Sequence, residues 1–127
     1  MIEEAKNLFP NKSFLVSSMP TFENLPEKQY DVIVLLASFH HLETREERLF
    51  CLENLKKYLS QNGSIYMTNW NLLEQERYQK NHRGNGDFDI KIGDYSRYYH
   101  GFRIDELESL FRESNWKIVE NRIFEGG

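Results

Sequence analysis

Cysteine is almost missing from the chain: Cys51 stands alone in 127 residues, so no internal disulfide and no cysteine-built zinc site can form from it. A reducing compartment, the cytoplasm, is the expectation. Long apolar runs are also missing. The longest, Val32 to Ala37, has the length of a strand and falls far short of the roughly 20 residues that cross a bilayer. Met1-Ile2-Glu3-Glu4 offers neither a basic n-region nor an apolar h-region, which argues against a secretory signal, and no membrane partner is expected. A net charge of −4 excludes bulk binding of polyanions through excess positive charge. Repeats and low-complexity tracts do not occur.

What remains fits one soluble globular domain over 1–127, with 39% hydrophobic and 28% charged residues. The charge is uneven. From Glu76 to Arg103 the bases Arg77, Lys80, Arg83, Lys91, Arg97 and Arg103 face the acids Glu76, Asp87, Asp89 and Asp94, so this stretch is +2 on an otherwise acidic chain. A basic, aromatic-rich stretch of this kind suits a nucleic-acid contact, and equally a solvated loop of mixed charge.

The spacing of Ile2, Ala5, Leu8 and Phe9 predicts a helix over 2–9, stopped by Pro10-Asn11. Ser13 to Ser18 reads as a short strand, and Pro20 to Gln29 as loop. Tyr30 to Ala37 is a continuous branched apolar run, the mark of a strand buried on both faces. Thr44-Arg45-Glu46-Glu47 is a capping-box pattern, followed by Leu49, Leu52, Leu55 and Leu59 on one helical face up to Asn62-Gly63. Ser64 to Asn69 reads as a strand. Residues 72–103 read as a short helix near 72–79 and then loop, an insertion long enough to suggest function. Ile104 to Ser114 is a helix with Leu107, Leu110 and Phe111 inward, and Trp116 to Phe124 a last strand.

Alternating strands and helices with buried apolar strands predict an α/β fold with a doubly wound parallel sheet. Ligands in such sheets bind beyond the carboxyl ends of the strands. Those ends are Ser17-Ser18-Met19, Ser38-Phe39-His40-His41 and Asn69-Trp70-Asn71.

Tyr30-Asp31-Val32-Ile33-Val34, then Ala37-Ser38-Phe39-His40-His41-Leu42, a leucine helix and Leu59-Ser60-Gln61-Asn62-Gly63-Ser64 resemble strand four to strand five of class I S-adenosylmethionine-dependent methyltransferases of the type 11 kind. Residues 2–9 with Phe14 to Met19 look like the helix after strand two and strand three. Leu73-Glu74-Gln75-Glu76, Arg97-Tyr98-Tyr99-His100-Gly101-Phe102 and Glu106-Leu107 resemble the branch containing wobble-uridine tRNA methyltransferases. The resemblance implies a Rossmann-like methyltransferase sheet, S-adenosyl-L-methionine as cofactor and tRNA as substrate.

The sequence departs from that family in two places. No G-x-G lies upstream of Ser13–Ser18, and no acidic residue ends a second strand for the cofactor ribose, so strands one and two are expected to be absent. The final antiparallel strand is expected to be absent as well. The chain thus reads as the C-terminal two thirds of the domain. Its sheet would be completed by a missing N-terminal segment, a partner chain or a swapped homodimer. A non-catalytic or split half acting as a binding module is the alternative.

The resemblance places Ser18, Met19, Ala37, Ser38 and Phe39 at the cofactor, and Trp70, Asn71, Arg97 and Tyr98 at the substrate. Arg97, Tyr99 and His100 are the candidate catalytic residues. Arg97 offers a bidentate fork for a carboxylate or phosphate, and the aromatic rings offer stacking faces. The competing reading is that the tyrosines pack the insertion onto the sheet. His40 and His41 lack a third ligand at metal spacing, so a role in holding the turn is expected of them, not metal binding.

Overall fold

Helix α1 (Ile2–Leu8) forms where the 2–9 spacing predicts it, but none of its residues is buried, and Leu8 and Phe9 lie exposed. The computed structural model to which it belongs describes residues 2–26 and 28–124. The expected strand over Ser13–Ser18 is not formed. A strand needs a neighbour to satisfy its backbone groups. Among the described residues none pairs with this segment, and Leu15 and Val16 face solvent.

The centre of the chain is a strand–helix–strand unit. Strand β1 (Tyr30–Leu36) pairs in parallel with β2 (Leu59–Thr68), and helix α2 (Arg45–Leu55) crosses between them. The Thr44 hydroxyl caps α2 by accepting the Glu47 N–H at 3.1 Å. The leucine helix ends earlier than expected, at Leu55. One 3₁₀ turn, Lys56–Tyr58, leads straight into β2. The register jumps from Tyr30↔Leu59 to Val32↔Ser64, so residues 60–63 bulge out of the ladder. The strand expected at Ser64 is the regular part of β2. Gly63 sits in the bulge because a Cβ there would lie 2.6 Å from the Leu59 side chain and 3.1 Å from the Asp31 carbonyl.

Period-two alternation sends Leu35 with half-buried Ile33, Ile65 and Met67 into the main core, beside Phe39, Leu52, Leu55, Phe102 and Leu110. The opposite face carries Val32, Val34, Leu36 and Tyr66, at 54%, 53%, 70% and 63% exposure. The expectation that this strand is buried on both faces therefore fails. No helix of the described residues covers the second face.

The insertion is the largest departure. In place of a helix over 72–79 and a loop, it holds a 3₁₀ segment at Glu76–Asn81 and a three-stranded antiparallel sheet, β3 (His82–Gly84), β4 (Asp87–Ile92) and β5 (Tyr95–His100). Asn85 and Gly86, both with positive φ (56° and 84°), make the two-residue turn between β3 and β4. Phe88, Ile90 and Tyr99 share one sheet face and form a second core with Leu72. Helix α3 (Ile104–Glu113) follows, with Leu110 fully buried and Leu107 and Phe111 against the main core, as its spacing predicts. The strand expected over Trp116–Phe124 is not formed: among the described residues the segment has no sheet partner, and the Trp116 indole N–H anchors it on the Leu52 carbonyl at 3.2 Å.

The fold is thus mixed α/β, with a two-stranded parallel sheet and a three-stranded antiparallel sheet. Among the described residues, no helix is long and apolar enough to cross a membrane.

Candidate functional site at the strand ends

The carboxyl ends of β1 and β2 meet in one tight turn. The Ala37 N–H donates to both the carbonyl (3.0 Å) and the hydroxyl (3.1 Å) of Thr68, with Ala37 in the left-handed region at φ 47°. This places the Phe39–His41 turn beside Asn69-Trp70-Asn71. The β4–β5 hairpin then lays Tyr99 across both ends.

Four rings pack here. Trp70 and Tyr99 stack at 5.0 Å and 12°, His40 lies 5.0 Å from Tyr99 and 5.6 Å from Trp70, and His41 stands edge-on to Tyr99 at 4.5 Å. Tyr99 is 3% exposed and gives its ring to Trp70, so the exposed aromatic surface of the cluster belongs to Trp70 at 43%. A stacking role for Tyr99 toward a ligand does not fit this packing; that surface is Trp70's.

Both histidines are held through Nδ1. The Trp70 backbone N–H donates to His40 Nδ1 at 3.1 Å, and His41 Nδ1 contacts the Tyr98 carbonyl at 3.0 Å. A backbone N–H can only donate and a carbonyl can only accept, which fixes the neutral tautomers. His40 carries its proton on Nε2, and His41 on Nδ1. Burial, reinforced by the positive fields of His41 and Arg97, lowers the His40 pKa to about 4; the nearby Ala37 carbonyl opposes this. The His41 pKa is lowered too, by burial first and by Arg97, against the Tyr98 carbonyl. Both rings are neutral at pH 7. The expected holding role of the pair is visible in these bonds. His40 Nε2 and Asn69 Oδ1 are buried with no hydrogen-bond partner among the described residues, and each such orphan costs about 1–3 kcal/mol.

Arg97 is exposed, lies on the same hairpin face as Tyr99, and makes no ion pair among the described residues. Its field reaches His40 and His41. Tyr98 and His100 alternate to the other face and enter a separate network. The Tyr98 hydroxyl contacts Asp87 Oδ1 at 2.5 Å and accepts from Arg48 Nη2 at 2.9 Å; His100 bridges Asp87 (3.1 Å) and Glu106 (2.7 Å). Arg48 itself is buried and donates to the Leu42 carbonyl. Burial raises the Asp87 and Glu106 pKa values, but hydrogen bonds and charge from His100, with the Tyr98 bond for Asp87 and the Arg48 charge for both, outweigh it and leave both lowered. With both ring nitrogens engaged and 3% exposure, His100 ties the hairpin to α3; it does not face Arg97. Tyr98 likewise ties the hairpin to α2.

Of the five candidate cofactor residues, Ala37 and half-buried Ser38 line the turn, whereas Phe39 is wholly buried and stacked on Phe102 at 5.5 Å. Met19 packs on the main core, and Ser18 is exposed with its carbonyl taken by the Phe22 N–H at 2.7 Å. The Asn71 side-chain amide donates to the Glu74 carboxylate at 2.8 Å. An open groove of about 660 Å³ between the hairpin and α3, lined by Arg45, His82, Arg103 and Glu106, contains none of the candidate residues. Among the described residues no three histidine, cysteine or acidic side chains gather as metal ligands. Arg48, Asp87 and Glu106 are not among the site candidates from sequence; the alternation Asp87-Phe88-Asp89-Ile90-Lys91-Ile92 is the signal for the strand that brings Asp87 there.

No family model matches the chain, and no curated protein matches it.

Proposed function

We propose that the chain is part of a Rossmann-like methyltransferase domain that moves a methyl group from S-adenosyl-L-methionine to a modified wobble uridine of tRNA. The observation that carries this is the position of Arg97, two residues from Tyr99 on the hairpin face whose Tyr99 packs against Trp70, His40 and His41 at the ends of β1 and β2. In the proposed reaction the acceptor is a carboxymethyl group, already an anion at pH 7, so the site needs an orienting cation and no general base. Arg97 orients the carboxylate, and Trp70 offers a face for the base. In this reading a Gly-rich cofactor loop and a ribose-binding acid come from an adjoining segment or a partner chain of different sequence. The bare apolar face of the parallel sheet supports that reading, since a parallel strand pair is ordinarily covered on both faces.

The test uses the polypeptide extended by its upstream coding sequence. Arg97→Ala is expected to lower kcat/KM for tRNA methylation by about one to two orders of magnitude, roughly 1.5–3 kcal/mol, with cofactor affinity unchanged. Transfer at the parental rate would leave the hairpin as packing alone. The second reading, a non-catalytic binding module, is supported by the burial of Phe39 and Tyr99, two residues proposed for ligand contact.

A further inference from the structure

We propose that the face of the β4–β5 hairpin that carries Arg97 is a docking strip for single-stranded nucleic acid, with Tyr95 at the hairpin tip as a second stacking ring beyond Trp70. This rests on the reading of Trp70 and Arg97 as the acceptor side, from which it takes the class of ligand, and it assigns a residue outside that site. Alternation along β5 puts Tyr95, Arg97 and Tyr99 on one face, where Tyr95 lies opposite Ile92 and Arg97 opposite Ile90. Tyr99 is covered by Trp70, which stacks on it at 5.0 Å. The strip left open runs from Trp70, 43% exposed, past exposed Arg97 to Tyr95, 64% exposed.

Charge is sorted across the same sheet. Arg83, Asp87, Asp89 and Lys91 project from the opposite face, where Asp89 meets Arg83 at 3.1 Å and Asp87 joins the His100 network. Asp94 lies in the turn. Among the strand residues of β3, β4 and β5, Arg97 is thus the one arginine, lysine or acid on the strip, and it stands between the two exposed rings. Rings with a cation between them match a strand that alternates bases with phosphates. The spacing selects a single strand. Tyr95 and Tyr99 are four residues apart, about 13 Å along β5, several times the roughly 3.4 Å rise of a stacked strand. Two bases that far apart have free faces only where the chain is unstacked, as in RNA loops. No part of the protein has to move, since Trp70, Arg97 and Tyr95 already face solvent.

The experiment is a fluorescence-anisotropy titration of the 127-residue chain with fluorescein-labelled hexauridine at low salt. The parent is expected to bind it, and an RNA duplex of the same length to compete poorly. Tyr95→Ala is expected to weaken binding about tenfold, and Tyr95→Phe by about twofold or less, because the ring face and not the hydroxyl makes the contact. Arg97→Ala is expected to flatten the salt dependence by about 0.7 in log–log slope, the loss of one single-strand phosphate contact. Upfield shifts of the Tyr95 ring protons on adding hexauridine to the parent report stacking without any substitution. Absence of binding, equal competition by duplex, parental affinity in Tyr95→Ala, an equal loss in Tyr95→Phe, an unchanged salt slope in Arg97→Ala or unmoved Tyr95 ring protons would each overturn the proposal. Self-association of the parent that Tyr95→Ala abolishes would give the tip to a second copy and overturn it as well. No arm uses the cofactor or a modified uridine. A chain that binds hexauridine through Tyr95 but, once extended, transfers no methyl would retire the proposed function and leave this inference standing; methyl transfer by a chain that leaves hexauridine unbound would do the reverse.

Discussion

Tyr98→Phe removes one oxygen from the network that locks the hairpin onto the rest of the chain. The Tyr98 hydroxyl lies 2.5 Å from Asp87 Oδ1 and 2.9 Å from Arg48 Nη2. A hydrogen bond to a charged group contributes roughly 1.5–3 kcal/mol. The variant loses both bonds of the hydroxyl, but Arg48 keeps its two contacts to the Leu42 carbonyl and His100 keeps Asp87 and Glu106, so the loss should stay near the lower end of that range for the pair. We expect urea unfolding at pH 7 to show a destabilisation of about 2 kcal/mol with an unchanged m-value. The acid arm gives the sharper check. The Tyr98 bond helps hold the Asp87 pKa below its ordinary value. A carboxylate depressed in the folded state stabilises fully above its unfolded pKa, and that stability is lost as pH falls through the folded value. The gap between parent and variant should therefore be widest near neutrality and close as pH falls from the ordinary carboxylate range through the lowered Asp87 pKa. His100, Arg48 and Glu106 are common to both proteins, and Arg48 does not titrate in this range, so the pH-dependent part of the difference reports the Tyr98–Asp87 bond. A loss under about 0.5 kcal/mol, or an equal loss at every pH, would refute the reasoning.

Thr44→Ala should cost about 1 kcal/mol in the same assay, because Thr44 is the side-chain cap of α2; no change would mean the cap is replaced by water. Leu110→Ala should cost about 2–5 kcal/mol, since Leu110 is fully buried in the main core, and a loss well below that would require the site to collapse around the gap. Cys51 is buried, and burial pushes its pKa up to about 12, so a thiol reagent at pH 8 should label it only after unfolding. Rapid labelling of the folded chain would contradict its placement. The 127-residue chain alone should bind S-adenosyl-L-methionine weakly or not at all by isothermal titration; micromolar binding would show that another backbone segment serves as the cofactor loop.

The central unit was legible because local and tertiary signals agree there. The β1 run, the Thr44 cap and the leucine spacing each point to the element that forms. Two strands failed for a shared reason. Residues 13–18 and 116–124 have strand composition, but strand formation depends on a neighbour that local sequence does not specify. The hairpin has a local signal, Asn85-Gly86 between alternating residues, that competes with the loop signal of the glycines over 84–93. For the candidate site, the sequence pointed to the strand ends and to Arg97 through Tyr99. It did not show that alternation along β5 would divide Arg97 and Tyr99 from Tyr98 and His100, because the strand itself was not recognised. The tautomers of His40 and His41 depend on backbone partners distant in sequence and could not be read from it.

The most direct measurement is single-turnover methylation of tRNA by the polypeptide extended with its upstream coding sequence, followed by mass analysis of the nucleosides. The expected result is one methyl group on the carboxymethyl side chain of the wobble uridine, with no transfer to tRNA lacking that side chain. Cofactor binding without any methyl gained by either tRNA, or a methyl placed elsewhere, would contradict the proposed function.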